Sequence, residues 1–225
     1  MANLITAYEV KRYAPAGRNY PEVNICEAIP QVEEDFGYEC LGETLYEYLQ
    51  SVLTAYPATA TEYDPETEYE LNDFVIRHGC LFQSNVECNR TDPLEIENDW
   101  TAVEKFTIAC ANTLWTRYLR RIIAFRVYES VVLFDTQQSG AAGVTINLGE
   151  GYNTGLRAAS KAELAERQKQ LQDGANQTVE NMYRWMKKQQ TDGTCTVLPL
   201  ESGVACWNQQ CTEPRNGVRR WAFKV

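Results

Sequence analysis

Between residues 106 and 134 the chain carries an apolar series that covers most of a helical circumference: Ile108, Ala111, Trp115, Tyr118, Leu119, Ile122, Phe125 and Val132. A run of about 29 residues predicts a helix about 43 Å long. A helix that is apolar nearly all round must be covered on most sides, so it is expected to be central and the rest of the chain to be its cover. Arg117, Arg120, Arg121, Arg126 and Glu129 interrupt it too often for a membrane span. These arginines are left to extend into water or to pair with neighbours.

Shorter helices precede it. Thr6-Ala7-Tyr8-Glu9 is a capping box, and Pro15 and Gly17 stop the helix that it opens. Asn19 and Pro21 open a second helix, with Ile25, Ile29, Val32 and Phe36 on one stripe and Pro30 as a kink or a second start. Leu41-Gly42 breaks the chain. Leu45, Tyr48, Leu49 and Val52 then stripe a third helix that is expected to end near Tyr56-Pro57. Ser160-Lys161-Ala162-Glu163 caps a last helix reaching about Gln190, striped by Leu164, Leu171, Ala175, Val179, Met182 and Met186, with Gln168 and Gly174 as weak points. That helix can fold back on residues 106–134 as an antiparallel pair.

Residues 57–105 differ in character. Pro57, Pro65 and Pro93 displace helix formers, and Phe74, Ile76, Leu81 and Phe82 alternate around His78-Gly79 as in strands. A small β insert is expected, with Tyr63, Tyr69, Phe74, Phe82 and Trp100 as its core. The expected fold is mainly α: a helical bundle built from residues 1–56 and 106–190, the β insert at 57–105, and an extended arm at 191–225. Within the hairpin, residues 136–157 hold five of the thirteen glycines (Gly140, Gly143, Gly149, Gly151 and Gly155) around the β-like run Val144-Thr145-Ile146-Asn147-Leu148. Such a loop is either mobile or pairs with another chain through its strand edges. The end of the chain sets Trp221 and Phe223 among Arg215, Arg219, Arg220 and Lys224, which reads as a docking arm or as a last strand of its own domain.

Charge is unevenly placed. Acids outnumber bases 21 to 6 in residues 1–105, whereas bases lead 15 to 10 in residues 106–225. The formal net charge of −10 argues against a nucleic-acid reader with a basic face, and an acidic front with a basic back reads either as identical subunits attracting head to flank or as a solvated surface. No basic region followed by an apolar run opens the sequence, so no secretory signal is expected. The eight cysteines are accordingly read as reduced thiols, mostly small buried hydrophobes, with Cys80–Cys88 as a bond that could form after lysis.

Catalytic chemistry has no visible home, and the expectation is a protein that is not an enzyme. The single histidine, His78, reads as a hairpin-turn residue. Cys80/Cys88 and Cys195/Cys206/Cys211 lack zinc-site spacing, so no metal is expected. The acidic run Glu62, Asp64, Glu66, Glu68, Glu70 and Asp73 lacks the spacing of an EF-hand and reads as a solvated edge. Neither phosphate-binding glycine motif is present, and no cofactor is expected.

The run Leu4-Ile5-Thr6-Ala7-Tyr8-Glu9-Val10-Lys11, then Ile25, Ile29 and Val32-Glu33, then Leu41-Gly42-Glu43-Thr44-Leu45-Tyr46, resembles the opening of phage head–tail connector (adaptor) proteins, those of crAss-like, Bacteroides-infecting phages in particular. The later order is similar too: a long helix, a glycine-rich loop and a Ser-Lys-Ala-Glu-capped helix. The likeness spans most of residues 1–56 and 107–190. It implies a structural virion protein forming a ring, commonly of twelve subunits, that joins the portal to the tail and continues the DNA channel. Implied partners are copies of itself, the portal, further neck or tail rings, and genomic DNA that passes without specific binding; no membrane is involved. The implied location is the capsid–tail junction, after assembly in the host cytoplasm. On that reading Arg215, Arg219, Arg220, Trp221 and Phe223 dock on the portal or a neighbour. Gly140, Gly143, Val144, Ile146, Leu148 and Gly149 touch a neighbouring subunit or fringe the channel. An acid excess suits a tunnel through which a polyanion slides.

A second resemblance is local. Tyr63, Tyr69, Asn72-Asp73, Val75, Gly79, Phe82, Pro93 and Trp100 resemble the pattern of small chitin-binding-type carbohydrate-binding modules. Asn72 stands for the usual glycine and Tyr63 for a common tryptophan. The resemblance implies sugar contact through Tyr63, Tyr69, Phe82 and Trp100, and makes a carbohydrate-binding virion or surface protein the alternative function. A fold inherited without sugar binding is the favoured reading of the insert, because in so small a unit these aromatics must also be its core.

Overall fold

The computed structural model describes residues 3–14, 21–95, 98–137, 145–147, 156–158, 161–196 and 198–199. The first capping box forms as expected. The Thr6 hydroxyl accepts from the Glu9 N–H at 3.2 Å, the Glu9 carboxylate accepts from the Thr6 N–H at 3.1 Å, and α1 (Ala7–Tyr13) follows. Helix α2 (Glu22–Phe36) begins after Pro21, so the proline sits at the cap rather than in the first turn, and Asn19 lies outside the described residues. Its stripe is inward: Ile25, Ile29 and Phe36 are buried and Val32 packs against them. Pro30 lies inside α2, which continues past it, so it marks no second start. A π-helical stretch, Gly37–Leu41, carries the chain to Gly42 and into α3 (Glu43–Ser51).

Helix α3 stops short of the expected residues 56–57. Val52 ends the helix as a turn residue, and residues 52–54 pair with the far side of the insert: Leu53 bridges Phe106, Thr54 N–H donates to the Lys105 carbonyl at 2.9 Å, and Thr107 N–H donates to the Val52 carbonyl at 2.9 Å. Backbone pairing that closes the base of the insert outweighs the helical periodicity of this stretch.

Between those closures lie β1 (Thr61–Glu62), β2 (Phe74–Arg77), β3 (Cys80–Ser84) and β4 (Trp100–Ala102), in the spatial order β1-β2-β3-β4. The β1–β2 pair is parallel and the other two are antiparallel. Arg77 faces Cys80 across a two-residue turn in which His78 and Gly79 have φ of 52° and 74°, the double left-handed geometry that tight hairpins favour. Asn72 also takes the left-handed region, with φ of 72°. Tyr69, Val75, Phe82 and Trp100 form a core separate from that of the helices.

The long apolar segment begins later than expected, as α4 (Ala109–Leu114), then widens into a π-helical stretch, Trp115–Leu119, and continues as α5 (Arg120–Gln137). Ile122, Ile123, Ala124 and Val127 are fully buried, and α5 packs against α1, α2 and α6 (Lys161–Asp192). It is the central helix. Ser160 lies outside the described residues. The α5–α6 pair is antiparallel, since Tyr118 meets Trp185 near one end and Glu129 meets Gln172 near the other. Gly174 is no weak point: a Cβ there would lie 2.9 Å from the Phe125 ring, so the missing side chain is what lets the helices close. Between α5 and α6, β5 (Thr145–Asn147), which holds Ile146, pairs antiparallel with β6 (Leu156–Ala158) in the same chain.

Two expectations are corrected. The chain is not a mainly helical bundle but a mixed α/β protein, because the segment read as a minor insert builds a four-stranded mixed sheet with its own buried core. The cysteines are not all reduced thiols. Cys110 and Cys195 are joined by a disulfide, their Cα atoms 5.9 Å apart, where the start of α4 meets the turn after α6. Cys80 and Cys88 are not bonded to each other.

Candidate functional site

The sheet does not hang free on its two linkers. The tip of the β2–β3 hairpin lies on α1: the His78 ring stacks on Tyr8 with centroids 5.0 Å apart and planes 6° from parallel. Tyr56 donates its hydroxyl to the Gly79 carbonyl at 2.6 Å. A Cβ on Gly79 would lie 2.9 Å from the Thr6 methyl, so the approach requires glycine twice, for φ and for space. His78 is therefore a turn residue, as expected, and its ring is a packing surface.

Beside this contact a cleft of about 1210 Å³ runs between the sheet and the helices. One wall is apolar, with Leu81, Leu94 and Trp100 from the sheet unit. The opposite wall brings Tyr13 from α1 and Trp115 and Arg120 from the π-helical stretch and the start of α5. At its base Asn112 fixes the chain leaving the sheet. Its amide donates to the Phe106 carbonyl at 2.6 Å and the Glu104 carboxylate at 2.8 Å, and its carbonyl accepts from the Phe106 N–H at 2.8 Å.

The charges divide into compensated and uncompensated groups. Lys105 lies 3.8 Å from the Glu9 carboxylate and 5.3 Å from the centroid of Trp115, so it is held from two sides. The guanidinium groups of Arg120 and Arg12 stand 4.3 Å and 5.8 Å from the centroid of Tyr13. Among the described residues neither has a carboxylate within ion-pair distance.

Behind the cleft, the fully enclosed Glu33 accepts from the N–H groups of Leu4 at 2.8 Å and Ile5 at 2.6 Å, anchoring the start of the chain to α2. Burial pushes its carboxyl up to about 7, against the lowering effects of those two N–H groups and of Lys105. The half-buried Cys80 thiol is likewise pushed up to about 11, chiefly by burial and then by the nearby Glu9 charge. A thiol raised this far is protonated near neutral pH.

Of the residues implicated in sugar contact, Tyr69, Phe82 and Trp100 are buried. Trp100 stands edge-on to Tyr69 and Tyr63 and donates its ring N–H to the Thr91 carbonyl at 2.9 Å. Only Tyr63 keeps a partly open ring, and the Arg77 guanidinium covers one face at 5.1 Å. The structure thus brings all four together, as a core rather than as a platform. Gly140, Gly143, Val144, Leu148 and Gly149 lie outside the described residues, as do Arg215, Arg219, Arg220, Trp221 and Phe223. The acidic run is exposed throughout.

The chain matches no protein-family model, no curated protein and no solved structure. Among the described residues no group of three His, Cys, Asp or Glu side chains could hold a metal ion, and no helix is long and apolar enough to cross a membrane. The cleft pair Arg12 and Arg120 escaped the sequence reading. Their convergence on Tyr13 depends on the π-helical stretch, which adds a residue to the turn just before Arg120 and has no apolar signature of its own.

Proposed function

We propose that the protein is a structural virion component, forming a ring that joins the portal of a tailed-phage capsid to its tail and continues the DNA channel. One observation carries the reading most directly. The two stretches that resemble connector proteins, most of residues 1–56 and 107–190, share one continuous core, in which Leu4, Ile25, Leu45, Ile122 and Met182 are members, although a sheet unit separates them in sequence. The acid excess and the hairpin of β5 and β6 between the two long helices support it further. The partners on this reading are copies of the chain, the portal and adjoining neck or tail rings, with DNA passing through; the place is the capsid–tail junction. Residues 215–225 are the proposed portal arm and residues 136–157 the proposed inter-subunit or channel loop. The carbohydrate-binding alternative has no geometric observation in its favour, because Tyr69, Phe82 and Trp100 are enclosed.

Purified chain mixed with the portal protein of its phage tests the proposal by negative-stain electron microscopy. Rings with a central opening, seated on the portal, are expected. Removing residues 219–225 is expected to weaken that seating while the chain stays folded. A chain that remains monomeric and ignores the portal would contradict the reading.

A further inference from the structure

The cleft between sheet and helices has walls, a fixed base and an unbalanced charge. At about 1210 Å³ it exceeds the roughly 300–1,000 Å³ of most small-molecule pockets. Its open apolar lining is Leu53, Ala55 and Leu94, and its cationic rim Arg12 and Arg120. Glu9 and Glu104 also line the cleft, but Glu9 is held by Lys105 and Glu104 by Asn112, and among the described residues neither Arg12 nor Arg120 has a carboxylate within ion-pair distance. The segment that would satisfy them is acidic.

The same chain carries such a segment. Within the acidic run, Asp64 caps the Glu66 N–H, Asp73 caps the Glu70 N–H, and Glu68 pairs with Arg90. Glu62, Glu66 and Glu70 are exposed and, among the described residues, make no ion pair. None of the three lines the cleft of its own chain. Two complementary patches at different places on one molecule make a head-to-tail contact, and a contact of that kind repeats from copy to copy.

We infer that the cleft rimmed by Arg12 and Arg120 receives the acidic segment bearing Glu62, Glu66 and Glu70 of a neighbouring copy. This rests on the ring proposed above and assigns its subunit contact. The contact is heterologous: each copy gives its acidic segment to one neighbour and offers its cleft to the other. Lys105, already paired with Glu9, serves as a wall of the cleft, while the two arginines provide the attraction and the register.

Charge exchange tests this. The full chain is prepared as wild type, as a cleft variant (Arg12→Glu with Arg120→Glu) and as a segment variant (Glu62→Lys, Glu66→Lys and Glu70→Lys). Assembly is followed by sedimentation at low salt, with circular dichroism to confirm folding. A milder cleft variant, Arg12→Gln with Arg120→Gln, serves if the reversal does not fold. Each variant alone is expected to assemble at least about tenfold more weakly than wild type. Mixing the two reversed variants is expected to restore assembly, because alternating copies then present opposite charges at every contact. Reversed variants that assemble like wild type would overturn the contact while leaving the ring intact. Rescue only when both changes sit in one chain, and not on mixing, would overturn it too, since the attraction would then lie within a copy. A wild-type chain that forms no ring, alone or on the portal, would overturn both this contact and the ring.

Discussion

Glu33 pins residues 4–5 to α2, and Gly79 seats the β2–β3 turn against Thr6. An unfolded chain ionises the Glu33 carboxyl above about 4.5, whereas the folded chain keeps it protonated up to about 7. Between those values the folded form binds more protons, so this group's contribution to stability falls as pH rises through the window, by on the order of 3 kcal/mol in all. The direction is opposite to that of an ordinary salt-bridged carboxylate. Glu33→Gln turns an amide donor toward the Leu4 or Ile5 N–H and is expected to cost about 1–3 kcal/mol at the acid end of the window. The gap between wild type and variant is expected to shrink from pH 4.5 to 7 in denaturant titrations; a gap independent of pH would contradict the burial effect. Gly79→Ala is expected to cost about 1–3 kcal/mol, because φ is 74° and the new methyl meets that of Thr6. Thr6 cannot swing away while its hydroxyl caps Glu9. Thr6→Ser keeps the cap and deletes the methyl, so it should recover part of the loss in a double-mutant cycle; strict additivity would contradict the contact. Neither contact was legible in the sequence. His78-Gly79 was readable as a turn from two adjacent residues, whereas what a turn rests on is decided by chain many residues away.

The helices show where periodicity suffices and where it does not. The stripe of α2, and in α6 Leu171, Ala175, Val179, Met182 and Met186, are inward as the sequence indicates, since a 3.6-residue repeat needs only local information. The early end of α3 and both π-helical stretches were not legible, because a single added residue leaves no mark in composition and is fixed by tertiary contacts. Gly174 was misread for the same reason. Its poor helix propensity is visible in the sequence, and the Phe125 ring that occupies its missing side chain is not. Gly174→Leu should therefore separate α5 from α6 and lower the melting temperature despite a better helix former; a rise would contradict the close approach. The Cys110–Cys195 bond spans 85 residues and ties the start of α4 to the end of α6. It is expected to contribute about 2–4 kcal/mol. Reductant should lower the melting temperature of the wild type and leave Cys110→Ser unchanged, and a wild type indifferent to reductant would contradict the staple.

For the whole molecule, two separate cores meet through a docked hairpin tip and a cleft. Prolines and alternating aromatics replace helical repeats in residues 57–105, and β1–β4 with their own core lie within that stretch. The weight of the sheet was underestimated, since composition reports how few strand residues there are and not that they enclose a core. Deleting residues 62–104 across a short glycine bridge should leave the helical core folded, as no member of that core lies in the deleted stretch, but with a lower melting temperature because Tyr8 and Thr6 lose their cover. Complete unfolding of the deleted chain would contradict the two-core architecture. The proposed role is tested most directly by electron microscopy of particles assembled in infected cells when this gene is silenced. Heads that form and fill but carry no tails are the predicted result, whereas complete tailed particles would contradict it.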